Sequence, residues 1–79
     1  MSAPKGGGRL SNRVRELRFR ADEMTQGQLA ERAGVTRQTI AAIERNKYAP
    51  SLETAFRLAD AFGLPLTEVF AWEGDDAAL

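Results

Sequence analysis

The pattern of apolar and polar positions predicts a chain of short helices. Apolar residues recur every three or four positions, and glycine, proline and N-cap residues interrupt them. A first helix is predicted over residues 12–21, where Val14 and Leu17 begin a narrow apolar stripe in a charged segment. A second is predicted over residues 25–34, because Thr25 begins a capping-box pattern and Gly34 suits a left-handed C-terminal position.

Two further helices and one helical turn follow. A third helix is predicted over residues 36–45, with Thr36 as its N-cap and Asn46 as a left-handed residue after it. A fourth begins after Ser51 and ends at Gly63, and a short turn of helix follows Pro65. The fourth helix is predicted to bury one continuous apolar stripe, which consists of Leu52, Ala55, Phe56, Ala59 and Phe62.

These elements predict an all-α fold of five helices. Residues 9–12 could also pair with residues 70–73 as a two-stranded β-ribbon at the ends of the domain. The first nine residues contain glycine, serine and proline without apolar periodicity. We therefore expect a flexible arm over residues 1–9, a folded domain over residues 10–73 and an acidic tail over residues 74–79.

The composition removes the main residues of several functional classes. A chain of 79 residues supports one domain with one working surface. It has no cysteine and no histidine, hence no disulfide, no usual zinc ligands and no imidazole base. We predict no enzyme activity, no metal and no cofactor. No apolar run approaches the roughly 18 residues of a membrane span, and the N-terminus lacks a secretory signal, so we expect no membrane contact.

The charge is balanced in sum but uneven along the chain. Eleven basic and eleven acidic residues give a formal net charge of zero, which at first opposes a nucleic-acid partner. Residues 1–20, however, carry six basic side chains against Glu16 alone, whereas residues 64–79 carry four acidic side chains and no basic one. Salt screens exposed charges beyond about 8 Å, so a local basic face can still attract phosphate. The neutral sum does not exclude DNA.

The third predicted helix has one apolar and one polar face. Ile40 and Ile43 point to one side of a helical wheel, and the other side carries Arg37, Gln38, Ala41, Ala42 and Arg45. Arginine and glutamine bind guanine and adenine edges bidentately in a major groove, and alanine permits close approach. A merely solvated helix usually carries Glu and Lys at four-residue spacing. The alternative is a plain exposed helix, because alanine favours helices and an exposed Arg-Gln pair is common.

Residues 24–70 carry several motifs in a fixed order: Thr-Gln opens the second helix, Ala-Gly lies at the turn, Thr-Arg-Gln-Thr-Ile opens the third helix and Asn-Lys-Tyr-x-Pro-Ser-Leu follows it. With these motifs the segment resembles the helix-turn-helix family of the lambda and 434 repressors and Cro. The resemblance is greatest to short bacterial regulators of the xenobiotic-response-element type, such as the repressors of cytolysin operons. Two departures are an extra residue near Asp22 and Glu23, and Asn46 in place of the usual glycine.

The resemblance implies a DNA-binding surface centred on the third helix. The implied base-reading residues are Arg37, Gln38, Thr39 and Ala41. The implied phosphate contacts are Gln26, Thr36, Arg45, Asn46, Lys47 and Tyr48. The resemblance also implies a structural ion pair between Arg18 of the first helix and Glu44 of the third.

The C-terminal segment suggests a second copy of the chain as a partner. Its apolar side chains exceed what so small a core needs, and the candidate interface residues are Leu66, Val69, Phe70 and Trp72. One domain reads only a few base pairs at about 1 to 3 kcal/mol each, which is too little to select one genomic site. We therefore expect a homodimer that places two recognition helices about 34 Å apart.

The leading hypothesis is a sequence-specific DNA-binding transcriptional regulator, most simply a dimeric repressor that acts on a palindromic operator in double-stranded DNA. We expect it in the cytoplasm, with a bacterial or phage origin and with no small-molecule ligand. The alternative is a protein-interaction module such as an antitoxin or a bridging factor, for which only the short arm and tail supply extra chain. An enzyme is the weakest hypothesis, because the chain offers no activated nucleophile.

Overall fold

The computed structural model describes residues 8–74. Within that range, one strand precedes the five helices in the chain and a second strand follows them. In chain order the elements are β1 Gly8–Asn12, α1 Val14–Arg20, α2 Gln26–Ala33, α3 Arg37–Glu44, α4 Leu52–Phe62, α5 Leu66–Val69 and β2 Phe70–Gly74. The five predicted helices are confirmed, but the all-α class is only partly right because the ends of the domain form a small sheet. In this part of the chain no helix has the length and apolar character needed to cross a membrane.

Local capping chemistry sets the helix ends where the sequence predicts them. Thr25, Thr36 and Ser51 each accept a hydrogen bond from the backbone N–H three residues on, which satisfies a donor that the first helical turn leaves unpaired. Gly34 and Gly63 end α2 and α4 in the left-handed conformation, with φ of 72° and 68°. The short connection from α2 to α3 is therefore determined largely by its own residues.

The two strands pair antiparallel and join the ends of the domain. Residues 9–12 pair with residues 70–73, as the sequence suggested, and one further pair joins Gly8 to Gly74. Gly8, Arg9 and Gly74 thus belong to the ribbon, not to the predicted arm and tail; the rest of the arm and tail lies outside the described residues. A side chain at Gly8 would collide with Trp72, because a Cβ there would lie 2.6 Å from the indole ring. The glycine allows the indole to lie across the end of the ribbon.

The core forms where α1 to α4 meet and where α5 and the start of β2 close one end. Its fully buried side chains are Val14, Leu29, Ile40, Ile43, Leu58 and Val69. Contacts join α2 to both α3 and α4, and join α4 to α5. The predicted core positions of α1 and α3 are therefore correct, and α3 is anchored through the face opposite to its polar side chains.

The predicted stripe of α4 is wrong at two positions. Ala55 and Ala59 are buried, but Leu52 is 67% exposed and Phe56 is 53% exposed, while Leu58 is fully buried. On a helical wheel the buried strip centres between Leu58 and Ala59, and Leu52 and Phe56 lie at its edge. Because α2 and α5 cover only the centre of the strip, the two large side chains remain in contact with solvent.

The extra residue after α1 is accommodated by two consecutive left-handed residues. Asp22 and Glu23 have φ of 58° and 54°, a conformation that costs roughly 1 to 2 kcal/mol for a residue with a Cβ.

We expect Glu23→Gly to raise the free energy of unfolding by about 1 kcal/mol, because glycine adopts this conformation without that cost. Urea denaturation measures the change. The control Glu31→Gly, at an exposed position inside α2, should lower stability by about 1 kcal/mol. Equal effects of both changes would contradict the expectation.

Candidate nucleic-acid interface

The turn between α2 and α3 presents the polar face of α3 to solvent. Ile40 and Ile43 point inward and are buried, whereas Arg37 and Gln38 are exposed at the first turn of the helix. Thr39 and Ala41 are half-buried. The two faces deduced from the helical wheel are therefore present, and the long hydrogen-bonding side chains lie on the outer one.

Helices α1, α2 and α3 enclose an open concavity of about 580 Å³, which we call the concave surface. Its residues come from all three helices: Arg15, Arg18 and Phe19 from α1, Gln26 from α2, and Arg37, Gln38, Ala41 and Glu44 from α3, with Arg45 at the end of α3. The fold thus brings together three of the four base-reading candidates and two of the phosphate candidates.

The ion pair expected between Arg18 and Glu44 is present at the base of the concave surface. Arg18 donates from Nε to Glu44 Oε2 at 2.6 Å and from Nη2 to Oε1 at 3.1 Å. Its Nη1 donates to the carbonyl oxygen of Met24 at 2.8 Å. Both charged side chains are shielded from water, with 9% and 6% of their surfaces exposed. The pair ties α1 to the end of α3 and leaves neither charge free for a ligand.

The same carboxylate orients two residues that face solvent. Gln26 donates from Nε2 to Glu44 Oε1 at 3.1 Å, and its own Oε1 accepts from Arg37 Nη1 at 3.5 Å. Arg37 is therefore weakly guided by a chain of contacts that begins at the buried ion pair. The side-chain amide of Gln38 forms no hydrogen bond with residues 8–74 and is available to another molecule.

The two threonines of this segment are engaged with each other. Thr36 Oγ1 accepts from the backbone N–H of Thr39 at 3.1 Å and lies 2.9 Å from Thr39 Oγ1. The Thr36 side chain therefore caps α3, and the Thr39 hydroxyl contacts this cap; Thr39 lies outside the concave surface. A hydroxyl that accepts one hydrogen bond can still donate another, so the phosphate contact of Thr36 stays a prediction.

The segment after α3 is exposed and is held in place by the ribbon. Arg45, Asn46, Lys47 and Tyr48 are all exposed. Asn12 donates from Nδ2 to the carbonyl oxygen of Ile43 at 2.9 Å and to Asn46 Oδ1 at 3.1 Å. Asn46 has the predicted left-handed backbone, with φ of 57°. The β-ribbon thus supports the end of α3 and the phosphate candidates that follow it.

Sequence reasoning missed the structural role of Asn12. Its Oδ1 accepts from the backbone N–H of Val14 at 3.0 Å, so one side-chain amide both satisfies the first N–H of α1 and supports the end of α3. An asparagine two residues before the start of a helix is a signal for such a local hydrogen bond. The contact with α3 had no signal in the sequence, because it depends on the path of the ribbon.

Sequence reasoning also missed Arg15 and Phe19, which form the α1 wall of the concave surface. A signal was available in the sequence. The resemblance implied that Arg18 faces α3, and Arg15 and Phe19, which are four residues apart on either side of Arg18, lie on the same side of the helix. The charge of α1 alone does not distinguish such a wall from an ordinary solvated face.

Other arginines of α1 and its N-cap are paired with carboxylates. Glu16 Oε2 lies 2.9 Å from Arg13 Nη2 and 3.0 Å from Arg20 Nη2. The hydrogen bond from Arg13 lowers the pKa of the Glu16 carboxyl and raises the pKa of the Arg13 guanidinium. The positive charges of Arg13 and Arg20 are therefore compensated within the protein.

The predicted dimer contacts are only partly accessible. Val69 and Phe70 are 1% and 8% exposed, so they fill the core and are wrong as interface residues. They are buried because α5 and the start of β2 close the end of the domain beside α4. Leu66 packs against the core and is half-buried, whereas Trp72 is 61% exposed.

Comparison with known proteins agrees with this geometry. A family model described as helix-turn-helix matches residues 14–69. An uncharacterized HTH-type transcriptional regulator of Methanocaldococcus jannaschii is 49% identical over 53 residues, which cover 67% of this chain and 80% of the relative. The uncharacterized HTH-type transcriptional regulator YgzD of Bacillus subtilis is 43% identical over 67 residues, or 85% of this chain and 100% of the relative. The immunity repressor of Bacillus phage phi105 is 36% identical over 64 residues, or 81% of this chain and 44% of the phage protein. The chain belongs to the helix-turn-helix family of Cro/C1 type.

Proposed function

We propose that the protein is a sequence-specific DNA-binding transcriptional regulator that inserts the N-terminal end of α3 into the major groove. The observation that carries the proposal is the outward presentation of Arg37 and Gln38 at the first turn of a helix whose opposite face is core. Membership of the helix-turn-helix family and the names of its relatives support the same function. Such a regulator works in the cytoplasm, where bacterial DNA lies.

Arg37 and Gln38 are the proposed base-reading residues, because each can form a bidentate pair with a base edge. Ala41 follows them on the concave surface and lets the helix backbone approach the bases closely. Thr39 is a weaker candidate, since its hydroxyl already shares a hydrogen bond with the Thr36 hydroxyl. The proposed phosphate contacts lie on either side of this turn and comprise Gln26, Thr36, Arg45, Asn46, Lys47 and Tyr48.

We propose a homodimer in which an exposed apolar patch on α4, formed by Leu52 and Phe56, contacts a second copy. These side chains lie one turn apart and are 67% and 53% exposed, and the neighbouring Glu53–Arg57 ion pair supplies a polar rim. Leu52 follows directly on the loop after α3, so this contact joins two copies beside their DNA-reading helices. A single copy reads too few base pairs to select one genomic site.

Sedimentation equilibrium tests the dimer. We expect a dimer for the wild type at micromolar concentration and a folded monomer for Leu52→Ser/Phe56→Ser, because that change removes the apolar patch. Trp72→Ser is the matched control at another exposed apolar residue. A monomeric Trp72→Ser variant and a dimeric double variant would assign the contact to the C-terminal segment instead.

We further propose that the regulator acts as a repressor, since a dimer bound across a promoter excludes polymerase without any additional domain. The relative from phage phi105 is named an immunity repressor, and one from Vibrio cholerae is named a phage transcriptional repressor. The names of these two relatives support the proposal that binding represses transcription.

Selection of bound sequences from a pool of random duplexes tests the function. A dimer of this fold should recover one palindromic consensus with half-sites about one helical turn apart. Recovery of the unselected pool after repeated rounds would contradict sequence-specific recognition. A consensus with a single half-site would support DNA reading and oppose the dimer.

A further inference from the structure

The α1 wall of the concave surface carries a cation beside an exposed aromatic ring. Arg15 and Phe19 lie one helical turn apart, and Phe19 is 51% exposed. The guanidinium carbon of Arg15 lies 5.6 Å from the centroid of the Phe19 ring, within the range of a cation–π interaction. The ring centroid is also 5.3 Å from the guanidinium carbon of Arg18, which is itself bound to Glu44. The ring therefore restricts Arg15 without neutralising its charge.

The charge of Arg15 is not compensated within the described part of the chain. Arg13, Arg18 and Arg20 each pair with a carboxylate, but Arg15 takes part in no ion pair of residues 8–74. The carboxylate of the concave surface belongs to Glu44, which is engaged by Arg18 and Gln26. The surface therefore presents the positive charges of Arg15, Arg37 and Arg45, which favours an anionic partner.

We propose that Arg15 binds a backbone phosphate of the DNA and that Phe19 positions it. This inference rests on the proposed insertion of α3 into the major groove. The groove is about 12 Å wide and a helix with its side chains is about 10 to 12 Å across, so elements beside the inserted helix meet the phosphates along the groove edge. Helix α1 is such an element, because it lies beside α3 and lines the concave surface with Arg15. A planar guanidinium suits phosphate because it donates two parallel hydrogen bonds.

The salt dependence of binding tests the contact of Arg15. Fluorescence anisotropy with the selected duplex would measure the dissociation constant from about 50 to 200 mM salt, because each phosphate contact contributes about 0.9 to the slope of log affinity against log salt. Arg15→Gln should reduce the slope by about 0.9 for each bound protomer, or about 1.8 for the proposed dimer, so the ratio of wild-type to variant affinity should shrink about 12-fold across that fourfold range. Arg15→Lys should keep most of the slope. The control Arg20→Gln, on the same helix but outside the concave surface, should leave the slope unchanged.

A double-mutant cycle tests the positioning role of Phe19. Phe19→Leu should weaken binding several-fold in the wild-type background and have no effect in the Arg15→Gln background, because its effect acts through Arg15. A general structural role would give the same loss in both backgrounds. Thermal unfolding of each variant shows whether the exposed substitutions leave the fold intact.

The outcomes separate this inference from the function on which it rests. If Arg15→Gln keeps the wild-type slope while Arg37→Ala lowers the affinity, Arg15 contacts no phosphate and the proposed function stands. If the wild type itself shows no salt-dependent affinity for the selected duplex, both proposals are overturned. The inference is supported if Arg15→Gln reduces the slope, Arg20→Gln does not, and the effect of Phe19→Leu depends on the presence of Arg15.

Discussion

Replacing Arg37 or Gln38 with alanine is expected to weaken binding to the selected duplex by about 1 to 3 kcal/mol for each half-site and to relax the base preference at one position of each half-site. Both side chains are exposed, and truncation of either one removes its proposed bidentate pair with a base edge. In a dimer the loss occurs at both half-sites. Binding of wild type and variants to duplexes with each single base change measures both effects.

The matched control is Lys47→Ala, in the exposed segment after α3. A phosphate contact carries no base information, so this change should weaken binding to all sequences alike and reduce the salt slope by about one for each bound protomer. The assignment of base-reading to α3 is wrong if the alanine variants of Arg37 and Gln38 behave like the Lys47 variant.

The second large effect is on stability. Glu44→Ala is expected to lower the free energy of unfolding by about 3 to 5 kcal/mol, because it leaves the Arg18 charge buried without a partner. The Gln26 side chain also loses the Glu44 carboxylate to which it donates, and Arg37 is then no longer oriented through Gln26. A small domain has about 5 to 15 kcal/mol of stability in total, so this change removes a large fraction of it. Urea denaturation measures the change.

Glu53→Ala provides the comparison for Glu44. Glu53 pairs with Arg57 at 2.7 Å, but 73% and 55% of the two side chains are exposed. Water screens such a pair, and its loss should cost less than about 1 kcal/mol. Similar destabilisation by both substitutions would show that burial of the Arg18–Glu44 pair does not carry the effect.

The elements that the sequence predicts well are those determined by neighbouring residues. The N-caps of α2, α3 and α4 are determined within four residues by Thr25, Thr36 and Ser51, and each lies where the pattern places it. The polar and apolar faces of α3 follow from helical spacing alone. The helix face proposed to meet DNA could therefore be inferred from the spacing of its residues.

The features that sequence reasoning misplaced depend on how helices cover one another. Leu52 and Val69 both sit on apolar patterns, yet one is 67% exposed and the other is buried, because neighbouring elements cover Val69 and not Leu52. The spacing of α4 cannot tell which edge of its stripe stays open. The positions of Arg15 and Phe19 likewise depend on the packing of α1 beside α3, which no local signal specifies.

Nuclear magnetic resonance of the isotopically labelled protein tests whether α3 enters the major groove. With the selected duplex added, we expect intermolecular contacts from the side chains of Arg37, Gln38 and Ala41 to base protons in that groove. We also expect large amide shift changes from Thr36 to Arg45. Contacts confined to the exposed face of α4, with the resonances of α3 unchanged, would contradict this expectation.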